Sequence, residues 1–191
     1  MTTDTTGEQL LAACGPAYAT AAAGLRWRIG NHRIGKTLQW REGAGLVLDA
    51  LHNQATGQAW QPHLLSDEWC GGEFSLHWND VPLSARQATA LLAVRAAAEA
   101  SAVTLHFDLR LPEGLDVTLS YRVHAGAAVI EQWLSAAPQA AGALSRVAPA
   151  TVSVGNLPSP VLHWARGLQG HGWHMPPSGP YPAFRMCHAP L

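Results

Sequence analysis

Residues 101–138 read SAVTLHFDLRLPEGLDVTLSYRVHAGAAVIEQWLSAAP, and this stretch decides the fold. Val103, Leu105, Phe107, Leu109 and Leu111 alternate with polar residues, as do Leu115, Val117, Leu119, Tyr121 and Val123. A period of two places each set on one face of a strand. The runs are separated only by PEG and AG, so they are long neighbouring strands joined by tight turns, which makes an antiparallel sheet.

The same texture extends outward in both directions. LRWRIG (25–30) sets Leu25, Trp27 and Ile29 against Arg26 and Arg28. NHRIGK reads as a turn, TLQWRE and AGLVLDALHN as two further strands, and NQATG as another turn. EFSLHWNDVPLS (73–84) reads as a hairpin with Phe74, Leu76 and Trp78 on one face and Asn79-Asp80 at the bend. In ATALLAVRAAAEA (88–100) alanine richness favours helix, whereas a strand keeps the meander unbroken; strand is the expectation. LSRVAPATVSV (144–154) continues the pattern, with Pro149 suited to an edge or bulge. The expected fold is all-β, two large antiparallel sheets stacked face to face.

A chain of 191 residues suits one core. The expected organisation is a loosely ordered arm over residues 1–24 with a turn of helix near 8–13, a sandwich over 25–175, and a Pro-rich extended tail over 176–191.

Composition excludes several partners. Twelve Lys and Arg against thirteen Asp and Glu, with Lys36 the only lysine, leave no basic stripe for nucleic acid. No apolar run is long enough for a membrane span. LLAAC, ending at Cys14, has the look of a lipoprotein box but lacks the basic residues and apolar run that precede one, so a cytoplasmic protein is expected. Three widely spaced cysteines do not suggest a disulfide framework. Eight Trp against three Phe and three Tyr is a split found in sugar-handling proteins, because indole offers a flat apolar face and one donor, although core filling is the commoner use.

The order of phrases resembles a known family. GLDVTLSYRVHAGAAVIEQWLSAAPQA, then LSRVAPATVSV, then GHGW, with LQWREGAGLVLDALHNQATGQAW upstream, is similar to the N-terminal super-sandwich domain of α-galactosidases of glycoside hydrolase family 36. Galactose mutarotase-like sandwiches share that fold. In the α-galactosidases the two catalytic aspartates lie on a (β/α)₈ barrel that follows the sandwich, and nothing in this chain reads as eight βα units. The resemblance therefore implies a non-catalytic domain serving carbohydrate recognition or assembly, with a neutral sugar or oligosaccharide, a catalytic barrel domain or a second copy as partner and no cofactor.

Three sets of residues are candidates. For sugar binding they are Asp67 and Trp69 in SDEWCGGEF, together with Trp164 and Trp173 in HWARGLQGHGWH. In the family a sandwich loop reaches a neighbouring active site with a Gly-Asp-aromatic-Arg phrase, which SDEWCGG does not reproduce. Asp67 and Glu68, being adjacent, point apart on an extended chain and do not form the close carboxyl pair of a retaining glycosidase. The alternative, an aldose 1-epimerase, needs a general base and acid, for which His106, His124 and Glu131 are the candidates; each also fits an outward polar face. A weaker alternative is a metal site built from His163, His171 and His174.

Overall fold

The structure is a computed structural model that describes residues 7–61 and 73–149, and the backbone of 161–164 and 179–182. The chain divides into two compact units, Met1–Ser153 and Val154–Leu191.

The first unit is an all-β sandwich. Six strands, β1 (Gln9–Cys14), β2 (Ala17–Ala22), β3 (Arg26–Gly30), β4 (Ile34–Arg41), β5 (Gly45–Asn53) and β6 (Gln58–Trp60), form one antiparallel sheet in sequence order. A three-stranded sheet follows, with β7 (Ser75–Trp78) between β8 (Val81–Ser84) and β13 (Leu144–Ala148). The third sheet has the order β12-β11-β10-β9, built from β9 (Ala90–Ala98), β10 (Ala102–Leu111), β11 (Leu115–His124) and β12 (Ile130–Pro138).

The period of two explains the layers. Val103, Leu105, Phe107 and Leu109 of β10 and Leu115, Leu119, Tyr121 and Val123 of β11 are fully buried, facing Ala17, Ala19, Ile29 and Leu38 of the six-stranded sheet. Trp27 meets Phe107 edge to face with ring centroids 5.3 Å apart, so the first and last sheets share one core. Phe74, Leu76 and Trp78 add the inner face of the three-stranded sheet to it. Each large side chain buried this way is worth about 1.5–3 kcal/mol. Asn79 and Asp80 carry φ of 49° and 63°, the paired left-handed conformation of a tight hairpin turn.

Residues 88–100 resolve as expected, into strand β9. Other expectations are corrected. Residues 9–22, assigned to a loose arm with a helical turn, are strands β1 and β2, held because Ala17 and Ala19 have side chains small enough to be wholly covered by β10. LSRVAPATVSV does not extend the large sheet; its described part is β13, which pairs with β7. The boundary between the two units falls within the expected 25–175 domain. In the second unit β14 (Val161–Trp164) pairs antiparallel with β15 (Gly179–Pro182).

Candidate functional site

The outward face of the six-stranded sheet carries a polar groove of about 260 Å³. Its position follows from register. Thr20, Arg28 and Thr37 are direct partners across β2, β3 and β4, and one step along, Gly35 of β4 faces His52 of β5, which faces Ala59 of β6. Between Thr37 and Leu38 the β4–β5 ladder shifts by one residue. A bulge sets two residues against one, and here the consecutive Asp49 and Ala50 of β5 both lie among the groove residues.

The charged groups are held in distinct ways. Asp49 lies between Arg26 at 3.4 Å and Arg41 at 3.3 Å. Glu8 accepts a hydrogen bond from Thr20 Oγ1 at 2.9 Å. The Arg28 guanidinium lies 5.7 Å from the centre of the Tyr18 ring, and its buried Nε has no hydrogen-bond partner among the described residues. The Tyr18 hydroxyl accepts from Gln54 Nε2 at 3.3 Å, and burial raises its pKa against the opposing effect of Arg28. His52 Nε2 is 3.0 Å from Thr37 Oγ1. Burial, and then the Arg28 charge, lower the His52 pKa from 6.5, so the ring is neutral at pH 7. A side chain at Gly35 would meet Gln54 Nε2 at 3.0 Å and Arg28 Nε and His52 Cβ at 3.5 Å; the glycine lets these three groups lie close over the sheet.

The groove thus presents guanidinium donors, carboxylate acceptors and hydroxyl groups that do both, which suits a ligand rich in hydroxyls. Its volume is below the range of about 300–1,000 Å³ usual for drug-sized ligands, so it fits one small ring. It is poorly arranged for acid–base work: Asp49 is clamped by two arginines, and the neutral His52 is bonded to Thr37 rather than set opposite a free carboxylate.

The mutarotase candidates lie elsewhere, on the outward face of the four-stranded sheet. His124 Nε2 and Glu131 Oε1 are 3.0 Å apart, and Glu131 is also 3.7 Å from Arg122. His106 Nδ1 is 2.8 Å from Ser120 Oγ, and its ring stands edge-on to Trp133. Burial and the Arg95 charge lower the His106 pKa. His124 pairs with Ala102, four positions from His106 along β10, which separates the two histidines by roughly 13 Å. The structure therefore brings His124 and Glu131 together and leaves His106 apart.

Asp67, Trp69, Trp173, His171 and His174 lie outside the described residues; Trp164 and His163 are on β14, where only the backbone is described. Among the described residues, no group of three or more His, Cys, Asp or Glu is gathered as for a metal ion, and no helix is long and apolar enough to cross a membrane. Of the other tryptophans, Trp27 and Trp78 are core and Trp60 is exposed on β6. The groove residues Arg26, Arg28, Thr37, Asp49 and His52 were not singled out by the sequence. Arg26 and Arg28 read as an ordinary solvated face, and the bulge that presents Asp49 leaves no signal in composition.

Fold and groove together define a β-sandwich with a polar site on one sheet. No family model, no curated protein and no solved structure matches the chain.

Proposed function

We propose that this is a non-catalytic carbohydrate-recognition domain, similar to the N-terminal sandwich of α-galactosidase-type enzymes, that holds a single sugar ring against the outward face of the six-stranded sheet. The observation that carries this reading is the groove itself, in which Arg26, Arg28, Thr37, Asp49 and His52 surround a space of about 260 Å³. Sugar hydroxyls donate and accept at once, and this lining offers both roles. The stacked antiparallel sheets and the phrases LQWREGAGLVLDALHNQATGQAW and GLDVTLSYRVHAGAAVIEQWLSAAPQA agree with it.

The mutarotase reading is favoured by one contact, that of His124 with Glu131, an acid–base pair of the right residue types. Both side chains are about a third to a half exposed and bonded to each other, which leaves neither free to face a ring from opposite sides. A titration of tryptophan fluorescence with galactose, paired with polarimetry of α-to-β galactose interconversion, separates the two. Saturable quenching without mutarotation is expected. Mutarotation above the buffer rate that disappears in Glu131→Gln would replace this reading with the enzymatic one.

A further inference from the structure

Resting on the sugar-binding reading of the groove, we infer that the ligand is an acidic sugar, a ring with one carboxylate or phosphate group held by Arg28. This ligand replaces the neutral sugar that the resemblance implies.

The inference comes from how the charges around the groove are matched. Asp49 is shared by Arg26 at 3.4 Å and Arg41 at 3.3 Å, and the Glu8 carboxylate is occupied by the Thr20 hydroxyl at 2.9 Å. Among the described residues of the groove, Arg28 is the arginine without a carboxylate partner. Among the described residues no carboxylate forms an ion pair with it, its Nε is shut away from solvent without a partner, and the Tyr18 ring lies 5.7 Å from it.

Taking a guanidinium partly out of water without a counter-charge costs free energy that an arriving anion recovers. The surroundings suit that anion. Thr37, the direct cross-strand neighbour of Arg28, shares its hydroxyl with His52 Nε2, and in the tautomer in which that nitrogen donates, the Thr37 proton is free for an anion. A planar guanidinium matches two oxygens of a carboxylate or phosphate at once, while Asp49 and Glu8 at the other positions accept from ring hydroxyls.

Isothermal titration of the full chain with D-galactose, D-galacturonate and D-galactose 6-phosphate, at low and at 0.5 M salt, tests this. At least one acidic sugar is expected to bind roughly tenfold or more tighter than galactose, the size of one charge-assisted hydrogen bond, with the advantage reduced by salt. Which of the two gains more tells carboxylate from phosphate. The acidic-over-neutral ratio should collapse in Arg28→Gln and fall partway in Arg28→Lys, which keeps the charge and loses the fork. The lysine variant decides the matter if near-ultraviolet circular dichroism shows that Arg28→Gln has not folded.

Equal binding of all three sugars would overturn the inference while leaving the sugar-binding reading intact. So would an acidic preference that persists unchanged in both variants. Binding of none of the three would remove the sugar-binding reading, and this inference with it.

Discussion

At the scale of single residues, the least expected feature is ionic and buried. Lys36, the only lysine of the chain, points from β4 into the core, where its ammonium pairs with Glu73 Oε2 and donates to Gln132 Oε1 at 3.1 Å. The Tyr121 hydroxyl donates to the same Glu73 oxygen, and burial, reinforced by the Glu73 charge, drives the phenol pKa well above 10. Gln132 Nε2 closes the cluster by donating to the carbonyls of Glu73 and Pro149, both at 2.8 Å. Five segments, those of Lys36, Glu73, Tyr121, Gln132 and Pro149, are thereby tied to one another through polar atoms. Glu73 Oε1 has no partner among the described residues, so the pair is not fully compensated. Removing one charge from such a pair strands the other. Lys36→Met is expected to lower stability by about 3–5 kcal/mol in urea denaturation, and Lys36→Met combined with Glu73→Leu to recover a good part of it. A double variant no better than the single one would show that the pair contributes on balance to stability. None of this was legible in the sequence, where Lys36 falls in the turn phrase NHRIGK and Glu73 beside a glycine-rich loop.

At the scale of elements, turns and bulges set the site more than the strands do. Asn31, at the β3–β4 turn, is buried; its Oδ1 accepts from the amides of Arg33 and Ile34, and its Nδ2 donates to the carbonyls of His124 and Ala127, each at 2.7 Å. One side chain thus shapes its own turn and fastens it to the turn after β11. Gly45, which opens β5, has φ of 64°, and a Cβ there would stand 2.2 Å from the Ala85 carbonyl oxygen in the short 3₁₀ turn Ala85–Gln87. Gly45→Ala combines backbone strain with a clash against main chain, and a loss of about 2 kcal/mol or more is expected in the same denaturation assay, against less than about 0.5 kcal/mol for Gly43→Asn in the neighbouring open turn. Strands β10 and β11 could be read from sequence because large apolar residues alternate with polar ones without interruption. Strands β1 and β2 could not, because their inward residues are mostly alanines, whose burial comes from the closeness of the facing sheet and not from their own hydrophobicity. The shift between Thr37 and Leu38 is equally silent, since a bulge adds a residue without changing the kind of residue used.

At the scale of the whole molecule, the two larger sheets have outward faces with different roles. The four-stranded sheet is laced by bidentate pairs, Arg95 with Asp108 and Arg110 with Asp116, whose shortest contacts are 2.8 Å. These arginine hydrogen bonds hold both aspartates below the usual carboxylate range. Arg122 on the same sheet pairs with Glu99 at 3.0 Å and Glu131 at 3.7 Å, although its buried Nε has no partner among the described residues. On the six-stranded sheet the pairing among the described residues is incomplete, with a groove beside Arg28, which no described carboxylate pairs, and the proposed recognition rests on that asymmetry. Amide chemical-shift mapping of the ¹⁵N-labelled full chain during titration with galacturonate reads the assignment directly. The expected result is a set of saturable shifts centred on Arg28, Thr37, Asp49 and His52, with the amides of His124 and Glu131 unmoved. Shifts centred on His124 and Glu131, or none on the six-stranded sheet at saturating sugar, would contradict it.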